Sequence, residues 1–247
     1  MTSILFIHGF PLDHSMWRHQ VAALSRWRCI APDLRGAGAS AGPDLPDDYS
    51  MAAYAADLIR LLDDQQIDQV VVCGLSMGGY IAFELLRQVP ERVRAAILCN
   101  TKAAADTPEA KRGRDVMAAK APNEGARAIA EELVPKLLAR VTRERQPEIV
   151  REVAEMIARQ PVSGIVGALR ALRERPDSTA LLGQIRIPVL VVAGEDDQIT
   201  PAAGMQEMAR AIPGAQFALI RDAGHLTPLE QPGVVTTALG DFLLRVA

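Results

Sequence analysis

Between Val70 and Leu86 the chain reads VVVCGLSMGGYIAFELL, and its hydrophobic period changes around one serine. The apolar run from Val70 to Cys73 is too short for a helix and suits a strand buried on both faces. From Tyr80 to Leu86 the apolar residues fall at spacings of three and four, as on a helix lying against a sheet. A strand that becomes a helix within so few residues needs a tight turn, and Gly74-Leu75-Ser76-Met77-Gly78 supplies one. A serine at such a corner adopts a strained backbone conformation, and the flanking glycines let neighbouring backbone approach without a clash. The turn is expected to lift the Ser76 hydroxyl above the sheet, at a helix N-terminus whose outward amides stabilise negative charge.

The same alternation runs through much of the chain. Short apolar runs at Ile4 to Ile7, Cys29 to Ala31, Ala95 to Leu98, Val189 to Ala193 and Phe217 to Ile220 predict five further strands. Between them, segments such as Ala52 to Leu62 carry helical periodicity through Tyr54, Leu58, Leu61 and Leu62. Strand, helix, strand in repetition means an α/β fold, a mostly parallel sheet of about six strands wrapped by helices with right-handed crossovers. With 247 residues, 49% of them hydrophobic, the chain is expected to form a single domain with a sizeable core.

One region breaks the pattern. Residues 101–186 contain no convincing strand, and Pro108, Pro122, Pro147, Pro161 and Pro176 cut them into pieces of helical length. Ile149, Val153, Met156 and Ile157 mark one apolar helix face, and Ile165, Leu169 and Leu172 another. The expected organisation is a core of residues 1–100 and 187–247 with a helical insertion of about 101–186. The insertion holds 16 Lys and Arg against 12 Asp and Glu, while the whole chain carries a formal charge of -3.

That balance gives no field that would recruit nucleic acid or an anionic membrane, so the expected partner is a small molecule. The N-terminal MTSILFIHGF has four consecutive apolar residues and no basic flank, unlike a signal peptide, and no run approaches the ~18 apolar residues of a membrane span. Cys29, Cys73 and Cys99 are odd in number and lack zinc-like spacing; they read as reduced residues of a cytoplasmic protein. No metal or cofactor is expected.

A serine hydroxyl is a weak nucleophile, so it needs a histidine base, and the base needs an acid to fix its tautomer. His225 follows the last strand in LIRDAGHLTPLEQP, at a strand's carboxyl end, where parallel-sheet proteins gather ligands. His14 and His19 fall in an early loop and helix and read as surface or satisfied residues, and His8 adjoins Gly9 at the end of the first strand. For the acid, VLVVAGEDDQITP ends a strand with Glu195, Asp196 and Asp197; Asp197 is the expected partner and Asp196 the fallback. Asp222 would have to fold back across a very short turn to reach His225. At FIHGFPL a turn can bring the Phe10 amide near that of Met77, so that both hold the oxyanion of a tetrahedral intermediate.

The order Ser76, Asp197, His225, with a helical insertion before the acid, resembles the α/β-hydrolase superfamily over essentially the whole chain. HGFPLDHSMW, APDLRGAGAS, GLSMGG, GEDDQITP and DAGHLTPLEQP fall in the family's order and near its usual spacing. The resemblance implies Ser76 as nucleophile, Asp197 as acid, His225 as base, and the Phe10 and Met77 amides as the oxyanion hole. It assigns Asp33, Arg35 and Gly36 to a loop that is more often structural than catalytic. Within the superfamily, GLSMGG, CNTKAAADTPEAKRGR and LRERPDSTALL are most similar to small carboxylesterases labelled 3-oxoadipate enol-lactonase-like. The family's usual N-terminal antiparallel hairpin has no counterpart before the first strand, which leaves the strand around Cys29 as an expected edge. A second subunit would cover that edge, or its charges and Pro32 would blunt it, so both monomer and homodimer stay open.

The implied activity is a cofactor-free serine carboxylesterase acting on small to medium acyl chains through an acyl-enzyme. 3-Oxoadipate enol-lactonase is the alternative, and it should place an arginine of the insertion within reach of Ser76. Carbon–carbon bond hydrolase, perhydrolase and ligand-receptor roles are further readings of the same residues.

Overall fold

The computed structural model describes residues 2–42 and 48–246. All six predicted runs are strands: β1 Ser3–Ile7, β2 Arg28–Ile30, β3 Val70–Leu75, β4 Val93–Cys99, β5 Val189–Gly194 and β6 Gln216–Ile220. They form one sheet of order β2-β1-β3-β4-β5-β6, and every pairing in it is parallel. β2 is the expected edge, held by the register Ser3 with Arg28, Ile4 with Cys29 and Leu5 with Ile30. At three residues it offers little ladder to another chain.

Alternation along the strands divides the core into two layers. Leu5, Ile7, Val70, Val72, Ala96, Leu98 and Val191 face one way, onto α2 (Met51–Asp64), α3 (Met77–Gln88) and α9 (Ala202–Ala211). Ile4, Phe6, Val71, Cys73, Ala95, Ile97 and Val192 face the other, onto α11 (Pro232–Val246) through Leu239 and Phe242. Each of the Val, Leu, Ile and Phe side chains among them, fully withdrawn from water, contributes about 1.5–3 kcal/mol. Helix α2 starts where Ser50 accepts a hydrogen bond from the Ala53 amide, an N-cap that satisfies one of the orphan donors of the first turn.

The insertion between β4 and β5 is helical: α4 Pro108–Leu137, α5 Arg140–Arg145, α6 Pro147–Ala158, α7 Val162–Arg173 and the short α8 Thr179–Leu182. Pro108 and Pro147 open α4 and α6, where the missing N–H costs nothing. Pro122 departs from the expected reading, because it lies inside α4 and the break comes at Gly125, with φ 80. A proline removes one helical bond, but only glycine takes that positive φ without strain. Apolar residues of α4, α6 and α7, among them Ile129, Leu133, Val153, Ile157 and Leu169, belong to the same buried cluster as the Phe6 face of the sheet. α1 (Arg18–Ala23) and α10 (Thr227–Glu230) complete the helices. No helix among the described residues is long and apolar enough to cross a membrane, and all three cysteines are free.

Candidate active site

Four strands deliver the predicted residues at their carboxyl ends: β1 leads to His8-Gly9-Phe10, β3 to Ser76, β5 to Asp197 and β6 to His225. β1 has β2 on one side and β3 on the other, so its loop leaves the sheet where strand order reverses, the usual place for a site in an open parallel sheet.

Ser76 has φ 54 and ψ −110. Such a backbone costs about 1–3 kcal/mol and persists only when its surroundings over-determine it. Here the Ser76 amide donates to the Cys99 carbonyl at 2.9 Å, and its carbonyl accepts from the Gly79 amide at 2.9 Å and the Thr101 hydroxyl at 2.8 Å. The turn is also too crowded for side chains at its glycines. A Cβ at Gly74 would stand 2.3 Å from the Gly78 carbonyl oxygen, and one at Gly78 would stand 2.2 Å from that of Ile7. The Ser76 side chain does not cap α3, and the Met77 amide belongs to a first turn whose donors lack intrahelical acceptors. Gly9 backs onto the serine, since a Cβ there would lie 3.5 Å from Ser76 Cβ. Phe10 is the next residue.

His8 is a tie within this loop. Its Nε2 accepts the Leu34 amide at 3.0 Å, so Nδ1 carries the proton and donates to the Gly9 carbonyl at 3.0 Å. Burial holds its pKa below the ordinary histidine value, which keeps the ring neutral and able to accept from Leu34.

The predicted acid and base are in contact, with His225 Nδ1 2.8 Å from Asp197 Oδ2 and both side chains almost fully buried. Asp197 accepts more than this one bond. Oδ1 takes the Ile199 and Thr200 amides at 2.8 and 3.0 Å, and Oδ2 takes the Thr200 hydroxyl at 2.6 Å and Asn100 Nδ2 at 2.9 Å. Burial alone would push this carboxyl up; His225 and the Thr200 and Asn100 donors outweigh it and bring the pKa down to about 2. Glu195, Asp196 and Asp222 are exposed.

Asn100, Thr200 and Thr227 were not read as site residues from the sequence. Asn100 is buried in a left-handed conformation, φ 45, directly after β4. Its amide nitrogen bridges Asp197 and the Gly224 carbonyl, at 3.1 Å, while its oxygen accepts the Thr227 hydroxyl at 2.7 Å. The one signal available was a polar pair, Asn100-Thr101, ending an apolar strand.

The loop of Asp33, Arg35 and Gly36 is structural in its contacts. Asp33 accepts the His14 amide and ring and the Ala39 amide, and Arg35 pairs with Asp57. Asp13, His14 and Asp33 bring metal-ligand atoms together, but Asp13 is already saturated by Arg159, Gln160 and Ser15. Phe10, Met77, Arg35, Tyr54, Ile165 and Ala168 help to line a small cavity. Helix α7 forms one wall of it, seated so tightly that a Cβ at Gly164 would stand 1.7 Å from the Gly36 carbonyl oxygen.

Comparison with known proteins agrees with this architecture. Residues 2–232 match the alpha/beta hydrolase fold family, and the chain belongs to it. It is 32% identical to 3-oxoadipate enol-lactonase 2 of Acinetobacter baylyi over 244 residues, 98% of this chain and 89% of the relative. A thermophilic esterase from Thermogutta terrifontis, solved with malate bound, superposes with a TM-score of 0.97 at 42% identity, covering 100% of this chain and 90% of that one. The enol-lactonase from Burkholderia xenovorans LB400 superposes with a TM-score of 0.91 at 31% identity, over 98% and 91% of the two chains.

Proposed function

We propose that this protein is a serine hydrolase of esters or lactones, and specifically a carboxylesterase for small to medium acyl groups. The contact between His225 and Asp197, after β5 and β6 at the same carboxyl edge of the sheet as the Ser76 elbow after β3, carries the reading. His225 Nε2 takes the proton of the Ser76 hydroxyl as Oγ attacks the ester carbonyl. The Phe10 and Met77 amides receive the oxyanion, and His225 then protonates the leaving alcohol. In the second half His225 activates water to release the acid and regenerate Ser76. Asp197 holds the imidazole in its Nδ1–H tautomer and stabilises the imidazolium at each step. The insertion of about 101–186 acts as the cap over the site.

The relatives named as an esterase and as enol-lactonases support ester and lactone cleavage alike. Four arginines of the insertion support the ester over a substrate bearing carboxylates. Arg114 and Arg175 pair with Asp106, Arg159 with Asp13 and Arg173 with Asp115, so these four are already engaged with carboxylates of the protein.

Turnover of p-nitrophenyl esters from acetate to decanoate, with the enol-lactone alongside, tests both parts. Cleavage that peaks at short chains and falls by about 10⁶-fold in Ser76→Ala is the expected result. A fully active Ser76→Ala protein overturns the serine mechanism; slow esters with a rapidly cleaved enol-lactone replace the esterase reading with the lactonase.

A further inference from the structure

Glu230 is a carboxylate with 2% exposure that the reaction scheme does not use. It sits at the end of α10, five residues past His225, and both of its oxygens are occupied. Oε1 accepts the amides of Gly224 and Leu226 at 2.9 and 3.1 Å, the two residues that flank His225. Oε2 accepts the Ala139 amide at 2.8 Å and the Thr142 hydroxyl at 2.7 Å, both on the corner between α4 and α5 in the insertion. The His225 amide itself donates to the Leu137 carbonyl at 2.8 Å, on the same corner. Three consecutive amides of the base loop are thus held by Glu230 or by the insertion. There is no slack between the two, because a Cβ at Gly224 would stand 2.6 Å from the Ala139 nitrogen.

We infer that Glu230 is a positioning residue, a strut that sets the His225 ring against Ser76 by tying the base loop to the 137–142 corner of the insertion. The inference rests on the serine hydrolase reading above. It means that this corner is a fixed part of the catalytic frame. Any motion of the insertion that admits substrate must then arise elsewhere, with the break at Gly125 in α4 as the available hinge. A carboxylate suits the role because it presents two acceptor edges to four converging donors, which no other side chain of its length can do.

Glutamine at 230 shows why the strut is sensitive. Its NH₂ must face either the Gly224 and Leu226 amides or the Ala139 amide and Thr142 hydroxyl. Only the hydroxyl can rotate to accept, so the amide turns its nitrogen to the insertion and the Ala139 bond is lost. The base loop stays bonded to residue 230 but slackens against the corner.

The experiment compares wild type, Glu230→Gln, Thr142→Val and Ser76→Ala in p-nitrophenyl acetate hydrolysis, with the downfield ¹H NMR line of the His225 Nδ1 proton recorded for each. In Glu230→Gln, kcat should fall by about 100-fold, the usual effect of a displacement near 1 Å, with KM within about 2-fold and the NMR line moved or broadened. Thr142→Val removes one of the four donors far from the ring, and its kcat should fall by about 3- to 10-fold with KM unchanged. Should Glu230→Gln fail to fold, Thr142→Val decides alone. Wild-type kcat and an unmoved NMR line, with only the melting temperature lowered, would show a purely structural role and overturn the strut. An active Ser76→Ala instead overturns the underlying mechanism, and the strut with it; an inactive Ser76→Ala beside an unaffected Glu230→Gln overturns the strut alone.

Discussion

The two halves of the site are held by different means. On the proposed nucleophile side, Ser76, Gly9, Phe10 and Met77 are placed mainly by backbone: a positive-φ serine, glycines packed against carbonyls, and the start of α3, with the Thr101 hydroxyl and the His8 ring as side-chain ties. On the acid–base side, Asp197, His225, Asn100, Thr200 and Thr227 form a buried network in which side-chain hydrogen bonds do the placing. The first half fails when an atom is added and the second when one is removed. In the proposed mechanism the difference follows from what each half must do, because an oxyanion site needs rigid dipoles free of partners, whereas an imidazole base needs a tautomer and a counter-charge.

Removal on the acid–base side should have the largest effect in this comparison. Asp197→Asn keeps the shape of the network but favours the wrong imidazole tautomer, so kcat should fall about 10⁴-fold in a folded protein, as read by ester turnover beside circular dichroism. Addition on the nucleophile side comes next. Gly78→Ala drives a methyl into the Ile7 carbonyl, and we expect loss of about 100-fold or more in kcat/KM together with a lowered melting temperature. An unchanged alanine variant would show that the elbow has room the contacts deny it.

Asn100→Ala removes one donor from Asp197 and strands the Thr227 hydroxyl. Activity should drop about 10- to 100-fold, the range for partners that orient a catalytic group. The smallest effect is on stability. The Asp197 carboxyl, at about 2 in the fold against 3.8 ordinarily, contributes stability that is fully present above pH 3.8 and lost as pH falls through about 2. Urea melts of wild type and Asp197→Asn from pH 2 to 5 should therefore converge toward the acid end, and parallel curves would contradict the depressed carboxyl.

Much of the fold was legible because β strands buried on both faces must be apolar throughout. Val70 to Cys73 and Val189 to Ala193 announced themselves on that ground, and the sheet bears them out. Pro122 misled because proline reports a lost hydrogen bond but not where the chain bends. Asn100 and Glu230 escaped notice because neither lies in a local pattern: each side chain bonds residues 88–127 positions away, and Glu230 bonds nearby Gly224 and Leu226 as well.

By itself the sequence determined the alternation of strands and helices, the Gly-Xaa-Ser-Xaa-Gly turn, and the choice of Asp197 and His225 as the pair to watch, since these depend on local period and turn chemistry. Only the tertiary structure decided that Asn100 joins Asp197 to the His225 loop, that α7 walls the cavity beside Phe10 and Met77, and that a buried glutamate ties the His225 loop to the insertion. Hydrogen bonds between distant segments leave no periodic trace in the chain, and a buried polar residue looks like an exposed one until its partners are in place.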